Sequence, residues 1–142
     1  MREIKFRGKR KGDGEWMYGD LIKSVTKAYI ITLVDDTGMW AKAEPRLLYA
    51  EVDPATVGQF TGLTGMSGQE IYKGDILKED CPRGNKYQVM AVPGGFAINM
   101  FQDGLKKPYF VESLADMQNN SYVQGSCEVI GNIHEHPHLL EA

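Results

Sequence analysis

Apolar and polar positions alternate at the start of the chain. Ile4 and Phe6 are interleaved with Glu3, Lys5 and Arg7, the two-residue period of a half-buried strand. This predicts a first strand over residues 2–10. Lys11-Gly12-Asp13-Gly14 follows, and Asp-Gly is among the strongest hairpin dipeptides. Trp16, Met17, Tyr18, Leu21 and Ile22 predict a second strand, interrupted by Gly19-Asp20. A third, rich in β-branched and aromatic residues, runs from Val25 to Val34. Asp35-Asp36-Thr37-Gly38 reads as a turn and Met39 to Tyr49 as a fourth strand. Pro45 within it argues for an edge position, because proline cannot donate to a central ladder.

The stretch from Val52 to Lys78 breaks this meander. Asp53-Pro54 has the chemistry of a helix start, an N-cap oxygen followed by proline at the first helical position. Val57 and Phe60, three apart, can share one face of a short helix that Gly58 and Gly62 cut short. A turn at Gly65-Met66-Ser67-Gly68 leads into a strand through Ile71, Tyr72, Ile76 and Leu77. The β pattern then resumes. Cys81 to Asn85 is a loop, Lys86 to Val92 a strand, Pro93-Gly94-Gly95 a turn, and Phe96, Ile98 and Met100 mark another strand. Gln102 to Pro108 reads as a polar loop. Ser113 has the chemistry to cap a short helix through Leu114 and Met117, ending near Asn119-Asn120. Cys127 to His134 is the last predicted strand, and the tail from Glu135 is expected to be loose or docked on the surface.

One pentapeptide pattern occurs twice. Gly19-Asp20-Leu21-Ile22-Lys23 returns as Gly74-Asp75-Ile76-Leu77-Lys78, each copy preceded by a glycine turn and by Tyr18 or Tyr72. A glycine permits a kink and an aspartate can accept backbone N–H bonds across it, which makes each copy a bent strand. Small open barrels turn their corners in this way. The expected organisation is therefore mainly β. It has an N-terminal β unit over residues 1–52, a short helical joining segment over 53–65, and a C-terminal barrel-like β unit over 66–142, with few short helices.

Composition narrows the class further. A chain of 142 residues with 42% hydrophobic and 25% charged residues can bury a core without metals or disulfides. Sixteen glycines suit short strands and many turns. The net charge is −3, yet Arg2, Lys5, Arg7, Lys9, Arg10 and Lys11 make the first strand basic. Such an arm could meet phosphates or an acidic protein, but it lacks the interleaved aromatics that stack on bases, and a solvated strand face is favoured. Cys81 and Cys127 have no metal-ligand spacing. No apolar region follows the charged start, and Ala28 to Val34 is too short to span a bilayer. The expectation is a cytoplasmic protein with free thiols and no membrane partner.

Candidate chemistry is sparse. His134, His136 and His138 alternate, so a strand would place three imidazoles on one face, as zinc or nickel requires. Pro137 disturbs that strand, and no metal or other cofactor is expected. Asp20 and Asp75 belong to separate bends, which favours backbone bonding over acid–base work. Neither cysteine has a histidine near it in sequence, and Cys127 lies in an apolar run, the setting of a buried, inert thiol. Trp16, Tyr18, Trp40 and Tyr49 are chiefly core candidates. If a ligand surface exists, Arg7, Trp16 and Tyr18 are its expected residues.

Taken in order, Arg2-Glu3-Ile4-Lys5-Phe6-Arg7-Gly8, Trp16-Met17-Tyr18-Gly19-Asp20, Val57-Gly58-Gln59-Phe60-Thr61-Gly62-Leu63, Glu70-Ile71-Tyr72-Lys73-Gly74-Asp75-Ile76 and Glu128-Val129-Ile130-Gly131-Asn132-Ile133 resemble the YopX family of phage and prophage proteins. The resemblance implies small, strongly bent β units of SH3-type barrel character, encoded by phages and prophages chiefly of Gram-positive bacteria. It brings no catalytic residues with it. The tail departs from the family pattern: His134-Glu135-His136-Pro137-His138 stands where Tyr-Glu-Asn-Pro-Glu is usual. The expected function is that of a non-catalytic accessory protein acting through protein contacts, with itself as a homo-oligomer or with a phage or host protein. Nucleic-acid binding through the basic first strand is the alternative, and an enzyme on a small substrate the least favoured.

Overall fold

The computed structural model describes residues 4–35, 45–79, 86–92, 95–101, 109–113 and 127–140. Its regular elements are almost all strands. They are β1 (Phe6–Lys9), β2 (Trp16–Lys23), β3 (Ala28–Val34), β4 (Arg46–Val52), β5 (Gly58–Thr64), β6 (Glu70–Tyr72), β7 (Asp75–Glu79), β8 (Lys86–Val92), β9 (Gly95–Phe101), β10 (Tyr109–Ser113) and β11 (Cys127–Asn132). Every pairing is antiparallel. The chain divides into two units. One runs from Ile4 to Gln59, the other from Phe60 onward.

In the first unit the strands are hydrogen-bonded in the order β4-β3-β2-β1-β5. The hairpin turn predicted at Lys11–Gly14 joins β1 to β2, closed by Gly14 N–H donating to the Arg10 carbonyl at 2.9 Å. The third strand starts later than its composition suggested. Ser24 N–H donates to the Lys27 carbonyl at 2.8 Å, and the Ser24 hydroxyl accepts from Lys27 N–H at 3.1 Å. A serine-stabilised turn therefore takes Val25 out of β3, and that side chain is fully exposed. Ala28, Ile30 and Val52 form the buried core of this unit, with Phe6, Met17, Leu21 and Val57 packed on it.

The sheet curves until its far strands meet. Arg10 forms an isolated bridge with Val52, Asp53 N–H donates to the Lys9 carbonyl at 2.8 Å, and Lys11 N–H donates to the Glu51 carbonyl at 3.1 Å. Contact between β4 and the end of β1 goes no further, so among the described residues the sheet does not close into a barrel. The expected helical joining segment is reduced to one 3-10 turn, Pro54–Thr56, with Asp53 Oδ1 accepting from Ala55 N–H at 3.0 Å. Val57 is already extended, and Gly58 and Phe60 lie in β5, so Val57 and Phe60 do not share a helical face. The reason is local. Thr56 uses its hydroxyl to accept from Lys9 N–H and donate to the Asp53 carbonyl, tying the turn to β1, and Gly58 then joins the β1 ladder opposite Arg7.

β5 carries the chain into the second unit, where its end pairs with β6 and a five-stranded sheet is ordered β10-β9-β8-β7-β11. The turn at 65–68 forms as predicted, with Gly68 N–H donating to the Gly65 carbonyl at 3.0 Å. Leu63, Ile71, Leu77, Tyr87, Val89, Phe96, Ile98 and Cys127 make this unit's core. Ser113 ends β10, and the helix expected beyond it lies outside the described residues. The last strand stops at Asn132, two residues short of the expected end. Asn132 Oδ1 accepts from the N–H groups of His134 and Glu135 at 3.0 Å each, an Asx turn that ends the ladder. The tail is docked. A 3-10 turn spans Pro137–Leu140, and Lys86 Nζ donates to the Leu139 carbonyl at 2.9 Å.

Both copies of the Gly-Asp motif are corners at which the chain changes partners. β2 pairs with β1 up to Gly19, then with β3 from Asp20. Tyr72 pairs with β5, whereas Asp75 and Ile76 pair with β11 and β8. At Gly19 a Cβ would lie 2.3 Å from the Ile31 carbonyl oxygen, a clash with main chain that no rotamer relieves. Gly14 also has a positive φ of 74° but opens onto empty space. Gly19→Ala is therefore expected to lower stability by about 2 kcal/mol or more, and Gly14→Ala by only about 1 kcal/mol. Urea midpoints of the two variants check this, and equal losses would contradict it.

Candidate binding surface

Arg7 and Lys9 project from β1 on the face opposite the core, directly across from Tyr18 and Trp16 of β2. The Arg7 guanidinium carbon stands 4.7 Å above the centre of the Trp16 ring, and Lys9 Nζ lies 5.9 Å from it. The three residues expected to form a binding surface are thus neighbours in one ladder. Their exposure differs. Arg7 is only 6% exposed, Trp16 is half-buried, and Tyr18 is exposed. A guanidinium held on an indole face is a cation–π contact. Here it gives Arg7 a structural partner. Of the other basic residues, Arg10 pairs with Asp13 at 3.4 Å and Lys11 with Glu51 at 2.8 Å. The Lys11–Glu51 hydrogen bond holds the lysine above its ordinary pKa and the glutamate below its own.

A second surface was not anticipated. On the outer face of β2, β3 and β4, cross-strand partners are Asp20 with Ile31, Ile31 with Tyr49, and Leu33 with Leu47. Leu33 is 64% exposed, Leu47 57% and Tyr49 67%, and Ile22 adds to them on β2. β4 is the edge strand, as Pro45 foretold. The signal was present in Leu47-Leu48-Tyr49, a run without polar alternation beside a proline, but its burial could not be read without the fold. Tyr49 sits on the far side of β3 from β2, and Trp40 lies outside the described residues.

The titratable candidates have structural surroundings. Asp75 is buried, and its Oδ2 accepts from Tyr72 N–H at 2.8 Å across the corner. The matching Asp20 is exposed, so the backbone-bonding role expected of both falls to Asp75 alone. His136 Nδ1 accepts from Asn132 N–H at 3.2 Å, and the His136 and His138 rings meet edge to face with centroids 6.2 Å apart. Among the described residues no group of three or more His, Cys, Asp or Glu is placed to hold a metal ion. No helix of the described residues is long and apolar enough to cross a membrane. Cys127 is buried opposite Glu79 in the β11–β7 ladder; Cys81 lies outside the described residues. Burial, reinforced by the Glu79 carboxylate, pushes the Cys127 thiol up to about 12.

These features define a mainly β protein of two antiparallel sheets. The chain belongs to the YopX family: the YopX protein model matches residues 5–141. It is similar to the crystal structure of protein EF1440 from Enterococcus faecalis, with 25% identity, a TM-score of 0.58, and coverage of 99% of this chain and 100% of that one. No curated protein matches it.

Two outcomes follow for these side chains. Trp16→Ala uncovers the Arg7 guanidinium and is expected to cost about 1–2 kcal/mol, against a few tenths for Tyr18→Ala; chemical denaturation measures both. For Cys127, folding holds the thiol protonated, whereas an unfolded thiol ionises near 9.0. The associated stability is complete below about pH 9 and is lost as pH rises toward 12. With Cys81 replaced by serine, iodoacetamide at pH 8 should label the chain in urea and spare it when native, as read by mass spectrometry.

Proposed function

We propose that this chain is a non-catalytic accessory protein of a phage or prophage, a binding and assembly module that works through protein–protein contacts in the host cytoplasm. The observation that carries this reading is the exposed apolar face of Ile22, Leu33, Leu47 and Tyr49 beside an edge strand. A contiguous exposed apolar patch marks an interaction surface more often than chance, and a sheet edge adds main-chain donors and acceptors to it. The finer fold assignment belongs with it: the curved first unit, joined at Arg10 and Val52, is read as an opened SH3-type barrel, which leaves β4 available.

Self-association is the simplest use of the patch. Multi-angle light scattering across a concentration series is expected to give a mass above the 15.9 kDa of one chain. Replacing Leu33, Leu47 and Tyr49 together by serine should return it to one chain, with an unchanged circular dichroism spectrum. A wild-type mass of one chain at all concentrations would defeat the self-association reading.

A further inference from the structure

Among the described residues, the edge of β4 is free over a short, bounded stretch. At one end the Glu51 carbonyl is taken by Lys11 N–H and Asp53 N–H is given to Lys9. In an antiparallel strand, alternate residues direct both main-chain groups to the same side. The outward groups of β4 are therefore those of the odd-numbered residues, and beyond Glu51 these are Tyr49 and Leu47. At the other end stands Pro45, which has no N–H to offer. Leu47, Leu48 and Tyr49 are all exposed, and no lysine, proline or bulge protects the segment between Leu47 and Ala50.

We propose that a second copy of this chain adds its own β4 antiparallel to this edge, about a twofold axis at Leu48. This rests on the self-association reading above and specifies its interface. In that register Leu47 faces Tyr49 of the copy and Leu48 faces Leu48. Each Leu47–Tyr49 pair exchanges two N–H···O bonds, so every outward group of the open segment is used. Pro45 falls opposite Glu51, so the two positions unable to extend the ladder coincide. Residues 47–50 carry no charged side chain, so a second copy brings no like-charge repulsion to this edge and offers an equally apolar strand with the same limits at both ends. Leu33 and Leu47 of each chain then continue one apolar face across the junction.

The test is register-specific. With Cys81 replaced by serine, Leu48→Cys should form an interchain disulfide under mild oxidation, because Cα atoms of a non-hydrogen-bonded pair lie about 4.5 Å apart, within bridging range. Tyr49→Cys should not, since its copy lies diagonally about 7–8 Å away. Leu47→Pro removes an N–H that faces away from β3 and should weaken association at least about tenfold in sedimentation equilibrium. If the protein self-associates but Leu48→Cys fails to crosslink and Leu47→Pro leaves association unchanged, the edge interface is overturned while the assembly reading stands. If the wild type is monomeric at all concentrations, both fall and the edge is left to a different partner chain. Misfolding of Leu47→Pro would leave the crosslinking pair to decide.

Discussion

A strand has two edges, and in this protein the chain changes the neighbour it bonds to at two glycine corners. The corner at Gly19 depends on clearance. β2 leaves β1 and joins β3 where its backbone passes so near the Ile31 carbonyl that a single Cβ would collide with it. The corner at Gly74 depends on conformation and hydrogen bonding. Its φ of 92° favours glycine, its N–H donates to Val89 and its carbonyl accepts from Ile133, both at 2.9 Å. Asp75 then satisfies the Tyr72 N–H that the turn would otherwise bury unpaired, which is why a carboxylate with 1% exposure is tolerated there. The curvature that brings Arg10 to Val52 follows from the first corner, and the pairing of β7 with β8 and β11 follows from the second.

Most strands were legible because their information is local. Alternation at Ile4–Arg7, the Asp-Gly of the first hairpin and the apolar run at Lys86–Val92 each act over a few residues; β2 and β8 lie where those patterns put them, whereas β1 starts only at Phe6 and leaves Ile4 exposed outside the strand. Failures arose where a side chain competed with the pattern. Ser24 captured the start of β3, Asn132 ended β11, and Thr56 bound Lys9 and kept a helix start to one turn. Each is a short polar side chain bonding backbone, which periodicity does not register. The matching of Gly19-Asp20 with Gly74-Asp75 was also only half informative. Both are partner-changing corners, but an identical dipeptide serves by clearance in one and by a buried acceptor in the other.

The candidate site was less legible than the fold for a related reason. Arg7, Trp16 and Tyr18 are neighbours in one ladder, but charge and aromaticity alone did not reveal that Arg7 is buried against Trp16. A cation so placed contributes to stability and has little surface left for a ligand. Leu33, Leu47 and Tyr49, by contrast, look like core residues in sequence. Their exposure comes from position: Ala28, Ile30 and Val52 face the core, so the alternating partners Leu33, Leu47 and Tyr49 are turned to the outer face.

That placement links incomplete closure to association. Had the bridge at Arg10 and Val52 continued as a ladder along β4, Tyr49 and Leu47 would have spent their outward groups on the chain beyond Arg10 and the apolar face alone would remain. The hydrogen bonds at Lys9 and Lys11 instead occupy only the Val52 end of the strand. What remains open is short, apolar and limited at both ends by Pro45 and Glu51. An edge of that kind is poorly suited to indefinite sheet growth, since a strand docked over three residues presents no long template to a third chain. The same limits suit a closed pair, in which one strand's open segment is consumed by its equivalent.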